Sequence, residues 1–563
     1  MPERIRNQFF QLIRDWLHFF VEALQLMRRQ GPSQFQFWLI AASIGTSAGF
    51  AALFFRKGIE LFQAFLYGTD NTANLRHLSE TLPWYWILLL PVAGGLATGL
   101  VLHFFTPDAR VRAVADVVEG AAMNNGRVEG RAGIASAVAS FITLSTGGST
   151  GREGPVVHIA GVISGWVSNR IHADGITGRD LLGCAVAAAV SASFNAPIAG
   201  ALFALEVILR HFAVHAFAPI VIASVAGTII NRLEFGGVTE FHLPEANVLE
   251  FYVELPAFLL LGLICGLVAT LLMRSVFLAE DIGNFIQDRS GMPRWLRPAL
   301  AGAVLGAMAI WFPHIIGVGY ETTSATLTGQ LLLGQAILFA MVKVLAVVIT
   351  MAGRMGGGMF SPSMMIGALT GLAFGLIATG IFPEVSGAHT LYALAGMGAV
   401  AAAVLGAPIS TTMIVFELTG DWQTGLAVMV AVSLSTALAS RLVDRSFFLT
   451  QLERRNVHLA AGPQAYLLSM FRAATLMRLP EDPGAADIER CREMVEDGIF
   501  LDVEATLEQA MPLFDRAGVP FIPIVGPVSD PQGPREPLGA LFHVDALKTY
   551  NSALATKAAE EHS

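Results

Sequence analysis

Between residues 37 and 448 the sequence alternates long apolar runs with short polar breaks. A helix that crosses the hydrocarbon core of a bilayer needs about 20 apolar residues. Five runs approach that length, at 37–55, 84–105, 255–273, 337–351 and 426–442. Charged residues make up only 14% of the 563, whereas an average soluble domain contains about 25%. The pattern predicts an all-α polytopic membrane protein, and it excludes disordered, coiled-coil and disulfide-rich chains.

Other apolar runs are shorter and contain glycine or proline. They lie at 133–144, 155–167, 197–209, 360–379 and 397–416. Short, interrupted apolar segments are typical of discontinuous helices that surround a binding site near the bilayer midplane. The sequence therefore predicts broken helices rather than a simple bundle of full spans.

Two glycine-rich breaks occupy corresponding places in the two halves of this region. They are GGSTGREGP at 147–155 and GRMGGGMFSP at 353–362, and an apolar run follows each. Proline is favoured in the first turn of a helix, where its missing N–H costs nothing. The two prolines are 207 residues apart (362 − 155), which predicts an internal repeat of roughly 200 residues.

The two ends of the chain differ from the apolar region. Residues 8–27 have the spacing of an amphipathic helix on the membrane surface, within an N-terminal segment 1–35. Arginines precede the first span and Arg454 and Arg455 follow the last, so both termini are expected in the cytoplasm, at the inner (plasma) membrane. After a membrane domain at 36–453, residues 456–563 are more charged. A helix at 507–517 and a strand at 521–525 predict a small α+β cytoplasmic domain there.

Helix N-termini inside a membrane suggest anion binding, because they present unpaired N–H groups and the positive end of a dipole. One helix end contributes only ~0.3–2 kcal/mol, far less than the cost of dehydrating an ion, so several must converge. Glu153 lies inside the first break, and a carboxylate at membrane depth indicates function. The structural alternatives are helix-packing bends and a Glu153–Arg152 ion pair. The net charge of −9 and the lack of a basic run exclude nucleic acid as a partner.

Four motifs in order resemble the CLC family of chloride channels and proton-coupled chloride transporters. They are GREGP at 151–155, FNAPIAG at 194–200 with Phe203 and Glu206, GGMFSP at 357–362, and FELTG at 416–420. The resemblance covers residues 37–455 and implies an inverted repeat of broken helices. Residues 505–525 and 538–547 are similar to the second half of a CBS region, which implies either an adenine nucleotide site or a dimerisation module.

The resemblance also implies roles for individual residues. Glu153 would be the external gate, in a homodimer with one anion pathway per subunit. Backbone N–H groups of the two glycine-rich segments would hold the anion. The residues that this assigns are Gly151, Arg152, Gly154, Met359 and Phe360.

Three positions depart from the family pattern. Arg112 falls where the family has a pore serine, Phe448 where it has a pore tyrosine, and Val207 where many exchangers have an internal proton-carrying glutamate. The fork of Arg112 suits a planar oxyanion, so we expect a preference for bicarbonate or nitrate over chloride, with proton coupling in doubt. Alternatively, Arg112 is one of several basic residues on the cytoplasmic side, or Arg110 faces the pore instead.

The expected function is a channel or transporter for a small monovalent anion, without catalytic residues, a metal or a required cofactor. One alternative is an ordinary chloride/proton antiporter of the same family. A remote alternative is an intramembrane serine hydrolase built on Ser149 and His158. Their separation of nine residues on one broken helix is poor geometry for a nucleophile and its base.

Overall fold

A computed structural model describes residues 34–68, 82–236 except 174 and 213, 251–455 except 385, and 457–561 with gaps at 458, 460–466, 469–470, 504 and 527–535. The predicted surface helix at 8–27 lies outside the described residues. The membrane domain contains, in chain order, α1 (Gln34–Tyr67), α2 (Trp84–Phe105), α3 (Val114–Met123), α4 (Gly130–Ser145), α5 (Glu153–Ile171), α6 (Gly175–Phe194), α7 (Pro197–Phe203) with a π-helical turn (Ala204–Leu209), α8 (Val214–Phe235), α9 (Phe251–Ser290), α10 (Arg297–Trp311), α11 (Tyr320–Leu327), α12 (Leu333–Ala352), α13 (Phe360–Ile381), α14 (His389–Leu405), α15 (Pro408–Thr419), α16 (Trp422–Leu442) and α17 (Phe447–Glu453).

Within the described residues, seven helices are long and apolar enough to cross a membrane. They include the five predicted spans, which fall in α1, α2, α9, α12 and α16. A span in α8 was not among those predicted, although residues 216–230 contain no charged side chain. The predicted short run 360–379 is the long helix α13, and the run 397–416 is divided between α14 and α15 at Gly406, which has φ +70°.

The two halves of the membrane domain repeat the same packing. In the first half α1 packs on α8 so closely that a Cβ on Gly45 would lie 2.4 Å from the carbonyl oxygen of Ala223. In the second half α9 packs on α16, and a Cβ on Gly262 would lie 2.7 Å from the carbonyl oxygen of Ala431. Small residues allow such close approach of helices within a membrane. The predicted internal repeat is confirmed.

The alanine-rich helices α6 and α14 occupy the centre of their halves and are buried along nearly their whole length. Each ends at a left-handed residue, Asn195 (φ +57°) or Gly406 (φ +70°). A proline then starts the next helix, at Pro197 for α7 and Pro408 for α15. These turns put the first residues of α7 and α15 at equivalent places in the repeat.

The C-terminal region is a small α+β unit, as predicted. Strands β1 (Leu501–Asp502), β2 (Phe521–Val525) and β3 (Pro537–Phe542) form a sheet in that order, with β1 parallel and β3 antiparallel to β2. The predicted strand coincides with β2, and the predicted helix coincides with the observed helix Leu507–Ala517. The helices of this region are α18 (Ala473–Leu476), α19 (Ile488–Glu496), α20 (Leu507–Ala517) and α21 (His543–Glu561).

Candidate anion-binding site

The two glycine-rich breaks meet at the centre of the membrane domain. Gly151 and Gly358 form an antiparallel bridge in which each N–H donates to the other's carbonyl oxygen at 2.8 Å. A Cβ on Gly154 would lie 3.2 Å from the Cα of Gly358, so the two segments are in contact through their backbones. Helices α5 and α13 begin directly after this bridge, and their positive ends therefore converge on one place.

The carboxylate of Glu153 lies at this meeting point. Glu153 is the first residue of α5 and is only 2% exposed. Its Oε1 accepts a hydrogen bond from the hydroxyl of Ser361, the second residue of α13. A negative group from one broken helix thus occupies the first turn of the other, which is the place where a bound anion would find free N–H groups.

The neighbouring site residues form the walls of this centre. The buried guanidinium of Arg152 lies 5.0 Å from the ring centroid of Tyr320, and one of its nitrogens donates to the carbonyl oxygen of Ser193 at 3.4 Å. Met359 is the N-cap of α13, and the ring of Phe360 packs on Phe194 with centroids 4.6 Å apart. Apolar walls of this kind exclude water and make the helix-end charges effective.

Phe448 and Val207, the two other predicted departures, are both buried in the membrane domain. Phe448 is buried near the start of α17 and packs against Phe447 at 6.0 Å between centroids. Val207 lies in the π-helical turn after α7 and is 7% exposed. Neither side chain supplies a hydroxyl or a carboxylate.

Arg112 does not have the free guanidinium that the oxyanion interpretation requires. Its Nε donates to Glu129 at 2.9 Å, and its Nη1 donates to both carboxylate oxygens of Asp108 at 3.0 and 2.9 Å. Its backbone N–H donates to the hydroxyl of Ser136 at 2.8 Å. Carboxylates of the protein already use the planar fork that was expected to bind bicarbonate or nitrate, and the structure gives that expectation no support.

A cavity of about 210 Å³ lies at the end of α17, where the chain continues into the C-terminal domain. Arg110 and Ala113 line it, whereas Arg112 does not. Ala113 is the N-cap of α3, and its N–H donates to Oδ2 of Asp116 at 2.8 Å. Four arginines and two carboxylates line the cavity, namely Arg110, Arg354, Arg454, Arg455, Asp116 and Glu280. The excess of positive charge favours anions there.

The structure does not pair Ser149 with His158. Within the described residues the Ser149 hydroxyl is buried without a hydrogen-bond partner. Nε2 of His158 lies 3.5 Å from the carbonyl oxygen of Glu129, on a different element. A serine nucleophile needs a base within hydrogen-bond reach, and these two side chains do not form that arrangement.

Sequence analysis missed several contacts that shape the site. Ser361 belongs to the motif GGMFSP. Glu153 lies 208 residues before it in the sequence, so no local pattern predicts the hydrogen bond between them. Glu206 and Glu417 were also quoted in motifs. Each accepts two backbone N–H bonds from the other half: Glu206 from Ile409 and Ser410, and Glu417 from Ile198 and Ala199. Only the spacing of 211 residues between the two glutamates (417 − 206) could have indicated the symmetry.

Comparison with known proteins agrees with this architecture. A sequence profile of the family described as "Voltage gated chloride channel" matches residues 94–440. A chloride channel protein described as ClcB-like, from Ralstonia nicotianae, is 31% identical over 396 residues, which cover 70% of this chain and 91% of that protein. The voltage-gated ClC-type chloride channel ClcB of Escherichia coli is 27% identical over 417 residues, covering 73% and 97% of the two chains.

Solved structures share the fold. A slow cyanobacterial Cl⁻/H⁺ antiporter superposes with a TM-score of 0.65 at 21% identity, covering 75% of this chain and 98% of the other. A eukaryotic CLC transporter superposes with a TM-score of 0.64 at 19% identity, covering 90% and 98%. The converging broken helices, the sequence profile and the ClcB-like relative agree. The chain belongs to the CLC family of voltage-gated chloride channels.

Proposed function

We propose that this protein moves chloride across the membrane through one pathway per subunit, and that Glu153 gates the pathway. One observation carries the proposal. The N-termini of α5 and α13 converge, and the carboxylate of Glu153 lies in the first turn of α13 with the Ser361 hydroxyl as its donor. The membrane domain therefore has an anion-binding centre that one of its own carboxylates occupies.

The energetics explain why such a centre binds an anion and why a carboxylate gates it. Dehydration of an ion costs several kcal/mol even after the protein relaxes, and one helix end returns at most ~2 kcal/mol. Two helix ends and their direct N–H donors together make binding feasible without making it irreversible. The ionised Glu153 competes with the anion for the same donors. Loss of its charge, by protonation, removes the competitor.

Chloride is the favoured substrate because the argument for an oxyanion depends on a free Arg112. That guanidinium is paired with Asp108 and Glu129. The ClcB-like relatives are described as chloride channels. A spherical ion needs only convergent N–H groups and positive potential, which the two helix ends supply.

The test is uptake of radioactive chloride into proteoliposomes that contain the purified protein. Unlabelled chloride, nitrate and bicarbonate are added outside as competitors. We expect rapid uptake that unlabelled chloride blocks best. Uptake blocked best by nitrate or bicarbonate would restore the oxyanion interpretation, and the absence of uptake above that of empty liposomes would overturn the proposal.

A chloride/proton antiporter is the second candidate, because two solved neighbours are described as a Cl⁻/H⁺ antiporter and a fluoride/proton antiporter. Against it, Val207 provides no proton-carrying group. We propose transport without a proton route through position 207. A pH-sensitive dye inside the same liposomes distinguishes the two: proton movement in fixed ratio to chloride would favour the antiporter.

We also propose that two copies associate in the plasma membrane with both termini in the cytoplasm. The apolar residues Ile198 and Ile409, at the first turns of α7 and α15, are exposed and available for such an association. Cross-linking in native membranes tests it. An adenine nucleotide at the CBS-like region stays a prediction, which titration of ATP and AMP into the whole protein tests.

A further inference from the structure

The side chain of Asp116 is bound as a small anion would be. Its Oδ2 accepts the N–H of Ala113 at the start of α3, at 2.8 Å. Its Oδ1 accepts from Nη2 of Arg110 at 2.8 Å and from Nη1 of Arg455 at 2.9 Å. One helix-terminal N–H and two guanidinium groups form a donor set suited to a monovalent anion. All four residues line the cavity of about 210 Å³.

We propose that Asp116 competes with chloride entering from the cytoplasm, and so sets the affinity of that entrance. The inference rests on the proposed function. While Asp116 holds the Ala113 N–H and both guanidinium groups, these donors are not available to an entering ion. Asp116 then plays at the cytoplasmic entrance the role that Glu153 plays at the centre. The two carboxylates act in series, and each occupies the start of a different helix.

The surroundings of Asp116 favour its ionised form as the competitor. Besides Arg110 and Arg455, Nε of Arg112 lies 3.9 Å from Oδ1 of Asp116. On the same helix Glu119 lies 3.8 Å from Arg455. Glu119 is not bonded to the Ala113 N–H, which Asp116 accepts. Glu119 therefore lies near Arg455 on the same helix but does not occupy the start of α3, and it serves as the control.

The experiment uses the full-length protein in inside-out membrane vesicles, whose outer surface is the cytoplasmic face. Initial uptake of radioactive chloride is measured against external chloride for the wild type, Asp116→Asn and Glu119→Gln. Asparagine keeps an acceptor for the Ala113 N–H and removes the charge. We expect Asp116→Asn to lower the half-saturating chloride concentration about two- to fivefold, the range produced by a charge at a helix N-terminus. Glu119→Gln and right-side-out vesicles should show no such change.

An unchanged half-saturating concentration in Asp116→Asn, or an equal shift in Glu119→Gln, would overturn the inference while leaving chloride transport intact. Asp116→Ser is the second variant, since serine is too short to reach both guanidinium groups. If neither variant elutes as a monodisperse protein, Asp116 serves folding and the inference is wrong. Absence of uptake by the wild type would overturn the proposed function, and this inference with it.

Discussion

Glu206 caps the first turn of α15, the helix that contains Glu417, and Glu417 caps the first turn of α7, the segment that leads to Glu206. The carboxylate of Glu206, at the end of the α7 segment, accepts the N–H groups of Ile409 and Ser410 at 2.9 and 2.8 Å. The carboxylate of Glu417, on α15, accepts those of Ile198 and Ala199 at 3.0 and 2.8 Å. The reciprocal bonds tie the two halves together at equivalent points.

The first prediction concerns this reciprocal capping. Glu206→Ala and Glu417→Ala should each lower the thermal transition of the detergent-solubilised protein. The expected loss is about 1–2 kcal/mol per variant, because each removes a charged acceptor from a helix N-terminus. Glu60→Ala is the control, since Glu60 pairs with Arg56 one turn away on α1 and caps no helix of the other half among the described residues. Transitions equal to that of the control would contradict the capping role.

The second prediction concerns the donor that holds Glu153. Ser361→Ala should raise chloride uptake at pH 7 about tenfold, because a hydrogen bond to a charged group contributes about 1.5 kcal/mol or more. Ser363→Ala is the control on the same helix, since that hydroxyl donates to the carbonyl oxygen of Phe360 at 2.7 Å. Glu153→Gln should make uptake insensitive to pH. If uptake by Glu153→Gln keeps the pH dependence of the wild type, another group is the gate.

The third prediction separates two roles of Arg112. Arg112→Ser should leave the order of chloride, nitrate and bicarbonate as competitors unchanged, because the guanidinium is bonded to Asp108 and Glu129. The same variant should be less stable, by on the order of 1 kcal/mol, since two partly exposed carboxylates lose their partner. Arg131→Ser, at an exposed position, controls for loss of positive charge. A changed anion order in Arg112→Ser alone would place Arg112 in the pathway.

The fourth prediction concerns pH and Asp108, in the loop between α2 and α3. Burial raises the pKa of Asp108, but the hydrogen bonds and charges of Arg112 and Arg110 outweigh this effect, and its pKa lies below the ordinary value. Ionised Asp108 therefore stabilises the fold fully above the pKa of the unfolded carboxyl, and the stabilisation disappears as pH falls through the lowered pKa. Asp108→Asn should lower the thermal transition at pH 7, and its difference from the wild type should shrink as the pH falls below the range in which a free aspartate titrates.

The expected difference at pH 7 is small, on the order of 1 kcal/mol or less, because the Asp108 side chain is 44% exposed and water screens the pair. Asp288→Asn, at the exposed end of α9, is the control. A difference in thermal transition between the wild type and Asp108→Asn that grows as the pH falls would contradict the stabilising role of ionised Asp108.

Local patterns were sufficient for much of the fold. The glycine-rich breaks predicted the convergence of α5 and α13, and a short strand-like run predicted β2 residue for residue. The predicted spans omitted α8, although residues 216–230 contain no charged side chain, and the apolar run 397–416 concealed the turn at Gly406. The turn was missed because hydropathy averages over a window and does not detect a single left-handed residue.

The site was less predictable, because its chemistry depends on partners far apart in the chain. Arg112 was interpreted from its planar guanidinium and its position in a family motif, yet Glu129, 17 residues away, accepts a hydrogen bond from that guanidinium. Ser361 reaches Glu153 across 208 residues. A side chain's availability for a ligand is a property of the folded neighbourhood, and no spacing rule in one sequence gives it.

The Gly151–Gly358 bridge has a consequence for how this molecule can vary. The two bonds join backbone atoms only, so a substitution at a neighbouring side chain leaves both donors and acceptors in place. The groups that differ from the family pattern, at Arg112, Phe448 and Val207, all lie outside the bridge. Substitutions at these three positions therefore leave in place the backbone frame that brings the two helix ends together.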